Sequence, residues 1–388
     1  GTPNISRVRS MACLSLALPS AARCERPRGA SSNALAVHVG GLAQGPEEKR
    51  GFIGRVAGFV VTIAGILTDM RPSLGKGVPL TLLGVLLRRD KIEKIKNDGT
   101  GPFSGDCTAV QIRKSTYIYV MESLIAYEAL WRGSIFVVIL VAMAIWELSA
   151  PARRTEIPRL IRWTNNFAMV VLDTLVLRLV FPILAVGIAA VATERGWGLF
   201  GWLGFDGLGA ILLGFLLLDL AIYAQHIVFH KVPVLWRLHR MHHTDPHFDM
   251  STALRFHPIE IVLSMLIKMG VVLALGLAPV TVILFEIALS GTALFNHSNA
   301  RLPAWAEKPV RWLLVTPDMH RVHHSELREE TDSNYGFCLP WWDRVFGTYR
   351  DQPKFGHDKM EIGIGKYGER REQWLDRLLI QPFRPNRK

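Results

Sequence analysis

Apolar positions in this chain gather into long runs rather than narrow stripes. Gly133–Ala150 is interrupted by a single charge, Glu147. Phe167–Ala192 carries Asp173 and Arg178, and Leu208–Gln225 carries Asp219. Pro258–Leu277 and Pro279–Phe295 follow, separated by the turn signal "GLAP". Each run is long enough, or nearly so, for a helix that spans or deeply enters a bilayer, which takes about 20 apolar residues. Buried core helices are the alternative. Five runs within so short a stretch argue instead for an all-α integral membrane bundle of four to five membrane helices.

Residues 1–120 have a different character. They hold 17 Lys/Arg against 8 Asp/Glu, whereas residues 121–388 hold 28 against 25. The basic excess of the chain (+12 overall) therefore sits mainly in this first third. The stretch "RVRSMACLSLALPSAARCERPRGASSNA" is rich in Arg, Ser and Ala and resembles a transit segment. Two apolar runs, Ala57–Leu67 and Val78–Leu87, are too short to cross a bilayer. We expect 1–120 to be a poorly ordered or non-native extension, or a processed targeting segment, with Met121 as a natural start. Residues 121–388 then form the membrane domain. That domain shows no basic stripe of the kind nucleic acid requires. Its charges set an orientation instead. Arg153, Arg154, Arg159 and Arg162 in one loop, and Lys231, Arg237 and Arg240 after the third run, place those segments and everything after residue 296 on the cytoplasmic side.

Histidine changes the picture most. Eleven of the 13 histidines lie between residues 226 and 324, all at the predicted cytoplasmic ends of the runs or in the following segment. "HIVFH" puts His226 and His230 one helical turn apart. "HRMHH" supplies His239, His242 and His243, and "HRVHH" supplies His320, His323 and His324. Adjacent histidines in each pentad diverge by about 100° on a helix, so neighbours can face two different metals. His297 in "NHSN" is a ninth candidate. Nine imidazoles exceed what one ion can use and suit two ions with open positions. Imidazole suits Zn, Cu, Fe or Ni, so this chemistry alone does not choose the metal.

Other residues have weaker claims. Asp219 is costly inside an apolar run unless paired. It is expected either to orient a ligand histidine from another element or to pair with Arg or Tyr. His257 is a candidate ligand, or a donor that orients one. His247 is expected outside the site, and His38 and His357 at the surface. Asp173 and Arg178 are expected to pair with each other or with neighbouring helices. "YGFCLPWWDRVFGTY" offers aromatic anchors for the lipid interface or a floor under the metal site. "REQWLDRLLIQPF" reads as an amphipathic helix lying on the membrane or docked on the cytoplasmic domain.

Several chemistries fit the pattern less well. The second position of each pentad is Arg, so the Glu base of a zinc protease is missing. A haem needs one or two axial histidines, not nine. The four cysteines form no CxxC pair, which argues against a zinc ribbon or iron–sulfur cluster. A metal transporter would spread its ligands along the span.

"HIVFH", "HRMHH" and "HRVHH" together resemble the HxxxH, HxxHH, HxxHH signature of the fatty acid hydroxylase/sterol desaturase superfamily, in its bacterial sterol desaturase form. The resemblance extends through "TALRFHPIE", "NHSN", "TPDMHRVHHS" and "TDSNYGFCLPWWDRVFGTY", covering roughly residues 135–360. It implies a membrane-bound non-haem di-iron oxidoreductase that uses O₂ to hydroxylate or desaturate a lipid C–H bond. It also implies a histidine-rich cytoplasmic cap in which His226, His230, His239, His242, His243, His320, His323 and His324 ligate the metals, with His297 as a ninth. Iron and O₂ come from the resemblance alone. The chain shows no electron-carrier motif of its own, so a separate ferredoxin or cytochrome donor is expected. The contrasting expectation is a non-catalytic membrane metal-binding protein or transporter on the same scaffold.

Overall fold

The computed structural model of the protein describes residues 127–384. The N-terminal extension, its two short apolar runs and Met121 lie outside the described residues. The described part is helical; its extended pairing is one isolated bridge, Ser325 to Ile362.

The apolar runs became helices because a helix satisfies its backbone polar groups internally, as a lipid environment demands. They are α1 (Glu128–Ser149), α2 (Arg159–Val180), α5 (Gly207–Lys231), α7 (Pro258–Leu275) and α8 (Pro279–Asn296). Five segments are long and apolar enough to cross a membrane, as the expected bundle requires. The second run differs from its expected form. Phe167–Ala192 is not one helix: α2 ends at Val180, and α3 (Ala185–Arg195) begins after a break that contains Pro182. Proline has no N–H for the helical ladder, and it pushes the residue before it out of helical geometry. A short helix, α4 (Gly198–Leu203), follows.

Polarity runs consistently through the bundle. α5 ends, α7 begins and α8 ends at one pole, where α6 (Pro233–His243), α9 (Ala304–Leu313) and α10 (Pro317–His323) also lie. The opposite pole is closed by backbone contact. Gly198 (φ +84°) and Gly276 (φ +70°) approach so closely that a Cβ on Gly198 would stand 2.2 Å from the Gly276 nitrogen. Only glycine permits both that approach and those angles. The apolar core between the poles packs Ala185 and Ala189 of α3 against Phe285 and Ile283 of α8 and Val272 of α7.

The histidine pole is fixed by buried ion pairs. Arg162 on α2 is fully buried and forks onto Asp245, with Nε 2.8 Å from Oδ1 and Nη2 2.9 Å from Oδ2. Its Nη1 reaches Asp249 at 2.7 Å. Burial favours the neutral acid, but Arg162 and Arg255 together hold the Asp245 carboxyl well below the usual range. Glu147 at the end of α1 accepts from the backbone N–H groups of Met250 and Asn299, each at 2.7 Å. Arg162, counted in the sequence among the loop charges expected to set orientation, is thus an internal fastener. The tail segment Leu375–Ile380 docks through Leu378, which is fully buried against Met169 and Met241. In the aromatic loop, Phe346 stacks on Tyr223 of α5 with ring centroids 5.6 Å apart.

Candidate metal centre

Two turns of α5, the length of α6, the end of α8 and the length of α10 bring nine buried histidines together. His226, His230, His239, His243 and His323 form one group, and His242, His297, His320 and His324 a second. Within each group the ligand atoms lie within 4.8 Å of one another. The adjacent pairs separate as helix geometry requires. His242 and His243 join different groups, and so do His323 and His324.

Hydrogen bonds outside the groups orient the rings. His226 Nδ1–H donates to the Tyr335 carbonyl at 2.8 Å and His323 Nδ1–H to the Ser333 carbonyl at 2.7 Å. His297 Nδ1–H donates to the Ala293 carbonyl at 2.8 Å, and His239 Nδ1–H to the Glu260 carboxylate at 2.6 Å. Each of these bonds places the ring proton on Nδ1 and leaves a lone pair on Nε2. Those lone pairs face one another. His226 Nε2 is 3.1 Å from His239 Nε2 and 3.1 Å from His323 Nε2. His297 Nε2 is 3.0 Å from His242 Nε2 and 3.1 Å from His320 Nε2.

Burial keeps the rings neutral. It pushes His239 down to about 3 and His297 down to about 4. His242, His243, His320, His323 and His324 fall well below the ordinary value, from burial first and neighbouring imidazoles second. Three rings (His226, His239, His323), each with its proton engaged at Nδ1, aim Nε2 at one point. Both ring nitrogens of His230, His243 and His324 lack any hydrogen-bond partner. A buried acceptor left in this way is costly, and a cation in each group would engage one nitrogen of each of these rings. The donor set fits metal in both groups.

Two candidates lie elsewhere. Asp219 touches none of the nine histidines. It accepts from the backbone N–H of Cys338 and of Leu339, each at 3.3 Å, and from Trp342 Nε1 at 2.9 Å. The reason is axial distance: two helical turns below His226, its reach falls on the loop rather than on the rings. It acts with Asp343, which takes the N–H groups of Tyr335 and Gly336, each at 2.8 Å. Together they shape the loop whose carbonyls hold His226 and His323. His257 is also outside both groups. It caps the start of α7 by accepting from Ile259 N at 3.2 Å, and its Nε2 faces the Leu379 carbonyl at 3.2 Å. His247, as expected, lies apart and accepts from Ile157 N at 3.0 Å.

Sequence reasoning missed Glu260. It stands in the first turn of α7, three residues past His257, in a helix whose other charged residue is Lys268. The argument applied to Asp219, a carboxylate inside an apolar run, would have found it. The Ser333 and Tyr335 carbonyls carried no such signal, because any residue supplies a carbonyl.

A cavity of about 360 Å³ opens beside the first group. His226, His239 and Glu260 line one end, and Leu177, Met265 and Lys268 lie deeper. No member of the second group lines it. Phe256, stacked on His242 with centroids 4.5 Å apart, and Phe337, near His297 and His320, are in its wall.

Fold and site together define a helical membrane-type protein with two buried histidine clusters built for metal. The fatty acid hydroxylase family matches residues 211–348, the stretch from α5 through the aromatic loop. The chain is 29% identical over 174 residues to an ornithine lipid hydroxylase of Rhizobium tropici, covering 45% of this chain and 50% of that protein. It is 30% identical over 157 residues to the alkylglycerol monooxygenase of Homo sapiens (39% of this chain, 32% of the relative). It is 28% identical over 151 residues to the cholesterol 25-hydroxylase of Rattus norvegicus (38% and 48%). The chain thus spans half or less of the length of these relatives. No solved structure matches it. The family match and these relatives support the fatty acid hydroxylase superfamily for the stretch 211–348.

Proposed function

We propose that residues 121–388 act as a membrane-embedded oxidoreductase that uses O₂ to hydroxylate a lipid C–H bond, with desaturation as the related outcome. The observation that carries this is the convergence of nine buried histidines in two groups beside a cavity that reaches into the apolar bundle. His226, His230, His239, His243 and His323 would hold one iron, and His242, His297, His320 and His324 the other. Two irons would supply the activation of O₂ that breaking an unactivated C–H bond requires. The relatives' names, a lipid hydroxylase and an alkylglycerol monooxygenase, support the reaction class.

The chain's own residues supply positioning. Glu260, Tyr335 and Ser333 keep the ring protons of His239, His226 and His323 on Nδ1, so that Nε2 faces the metal. The apolar walls, among them Leu177, Phe229 and Met265, exclude water and present a chain to the His226–His239 end. The positive-inside distribution of loop charges supports a cytoplasmic histidine pole, where a separate ferredoxin or cytochrome-type donor would deliver electrons.

The test uses the full chain purified in detergent from iron-supplied cells. Elemental analysis should find about two irons per chain, and membranes from those cells should contain O₂-dependent oxygenated lipid. In His242→Ala and His323→Ala, product should vanish while the protein still inserts. Unchanged product in both variants would overturn the ligand assignment, and a folded protein with no metal would overturn the di-iron reading.

A further inference from the structure

Asp173 on α2 is the feature that the proposed chemistry leaves unused. It is only 5% exposed, it lines the cavity, and its Oδ1 has no hydrogen-bond partner. It makes no ion pair among the described residues, and Arg178 on the same helix is exposed. The cations around the cavity are matched, and Glu260, the other carboxyl in its wall, is engaged through Oε1 while its Oε2 is unpartnered. Lys268 Nζ is 2.7 Å and Arg132 Nη2 2.9 Å from Glu286, which faces both. Glu260 takes the His239 ring proton, and Gln225 donates to Ser264 at 3.0 Å.

The depth of Asp173 can be placed. Asn166 on the same helix donates to Ser251 at 2.9 Å, in the turn beside the histidine-bearing helices. Asp173 is two turns further along, about 10 Å into the bundle. The adjacent Thr174 also lines the cavity and is exposed. The cavity therefore opens beside this carboxyl. A carboxyl stranded at such depth is costly unless something pairs with it. An O–H or N–H donor on an amphiphile drawn to the same depth carries the matching cost.

We propose that Asp173 accepts a hydrogen bond from a hydroxyl or amino donor on the substrate, so that the cavity selects a donor-bearing chain amphiphile over a plain hydrocarbon or ether. This rests on the cavity being the substrate pocket of the proposed oxygenase. Held there, the donor group sits at this opening and the chain runs toward His226 and His239. Asp173 is thereby a specificity-determining residue that sets which carbon lies at the metal end.

The test is equilibrium binding of hexadecanol and of hexadecyl methyl ether to the full-length protein in detergent, by native mass spectrometry. The two probes differ by one methyl group and by the loss of the donor. The wild-type protein should bind the alcohol about tenfold more tightly than the ether, the size expected of a hydrogen bond to a buried carboxyl group. In Asp173→Leu that ratio should fall to about one with bound metal unchanged, and Asp173→Asn, which retains an acceptor oxygen, should keep part of it. Equal binding of both probes to the wild-type protein, or a ratio that survives Asp173→Leu, would overturn the proposal. Preference for the alcohol in protein that oxidises no lipid would keep Asp173's role and remove the oxygenase reading. Equal binding in protein that does oxidise lipid would do the reverse.

Discussion

The two histidine groups share helices and burial yet differ in how they are held. In the five-histidine group three rings are tied from outside, to Tyr335, Glu260 and Ser333, and two of its members line the cavity. In the four-histidine group only His297 has such a tie, to the Ala293 carbonyl within its own helical turn. The Nδ1 atoms of His242, His320 and His324 have no partner, and Phe256 and Phe337 stand in the wall on the cavity side. Two sites of similar composition can therefore serve different ends. The group facing the cavity is held by long-range partners, and the group behind it relies on packing.

The largest effect that would break this contrast comes from the rings themselves. His226→Ala should abolish lipid oxygenation and lower bound metal by about half, because it removes a ligand from the cavity-facing group alone. Loss of all metal would show that the groups fill as one unit. Glu260→Gln comes next. It should weaken metal binding roughly 10–100-fold at one site while the other keeps its affinity, giving a biphasic chelator titration. A single phase would contradict the unequal support of the two groups.

Asp343→Ala strips an acceptor from the N–H groups of Tyr335 and Gly336 in the loop that holds His226 and His323. A loss of about 1–3 kcal/mol in thermal unfolding is expected, with a modest drop in metal at the five-histidine group. The smallest effect is expected at Lys231, which is 55% exposed and 3.0 Å from Asp332. Lys231→Ala should cost less than about 1 kcal/mol and leave metal content unchanged.

Much of this architecture is legible along the chain, because a lipid environment tolerates few alternatives. Long apolar runs must become helices, and the one misjudged boundary, at Pro182, was a local signal that run length had overridden. The histidines are legible for a different reason: spacings of three and four residues place them on helix faces whatever the surrounding fold. Asp219 and Glu260 show where that logic stops. Both are carboxylates in apolar helices, and nothing local says that one meets a loop backbone while the other meets a ring. Each outcome depends on what another helix presents at the same depth.

Sequence by itself determines the helical membrane-type fold, the nine histidines and the separation of adjacent ones, because hydropathy and helical period are local quantities. Only the tertiary structure decides how the nine divide into five and four, which carbonyls and carboxylate fix the ring protons, and which group meets the cavity. Those depend on where α5, α6, α8 and α10 converge and on the loop bound to Asp219 and Asp343. Such contacts join residues up to about a hundred positions apart, and no short-range pattern encodes them.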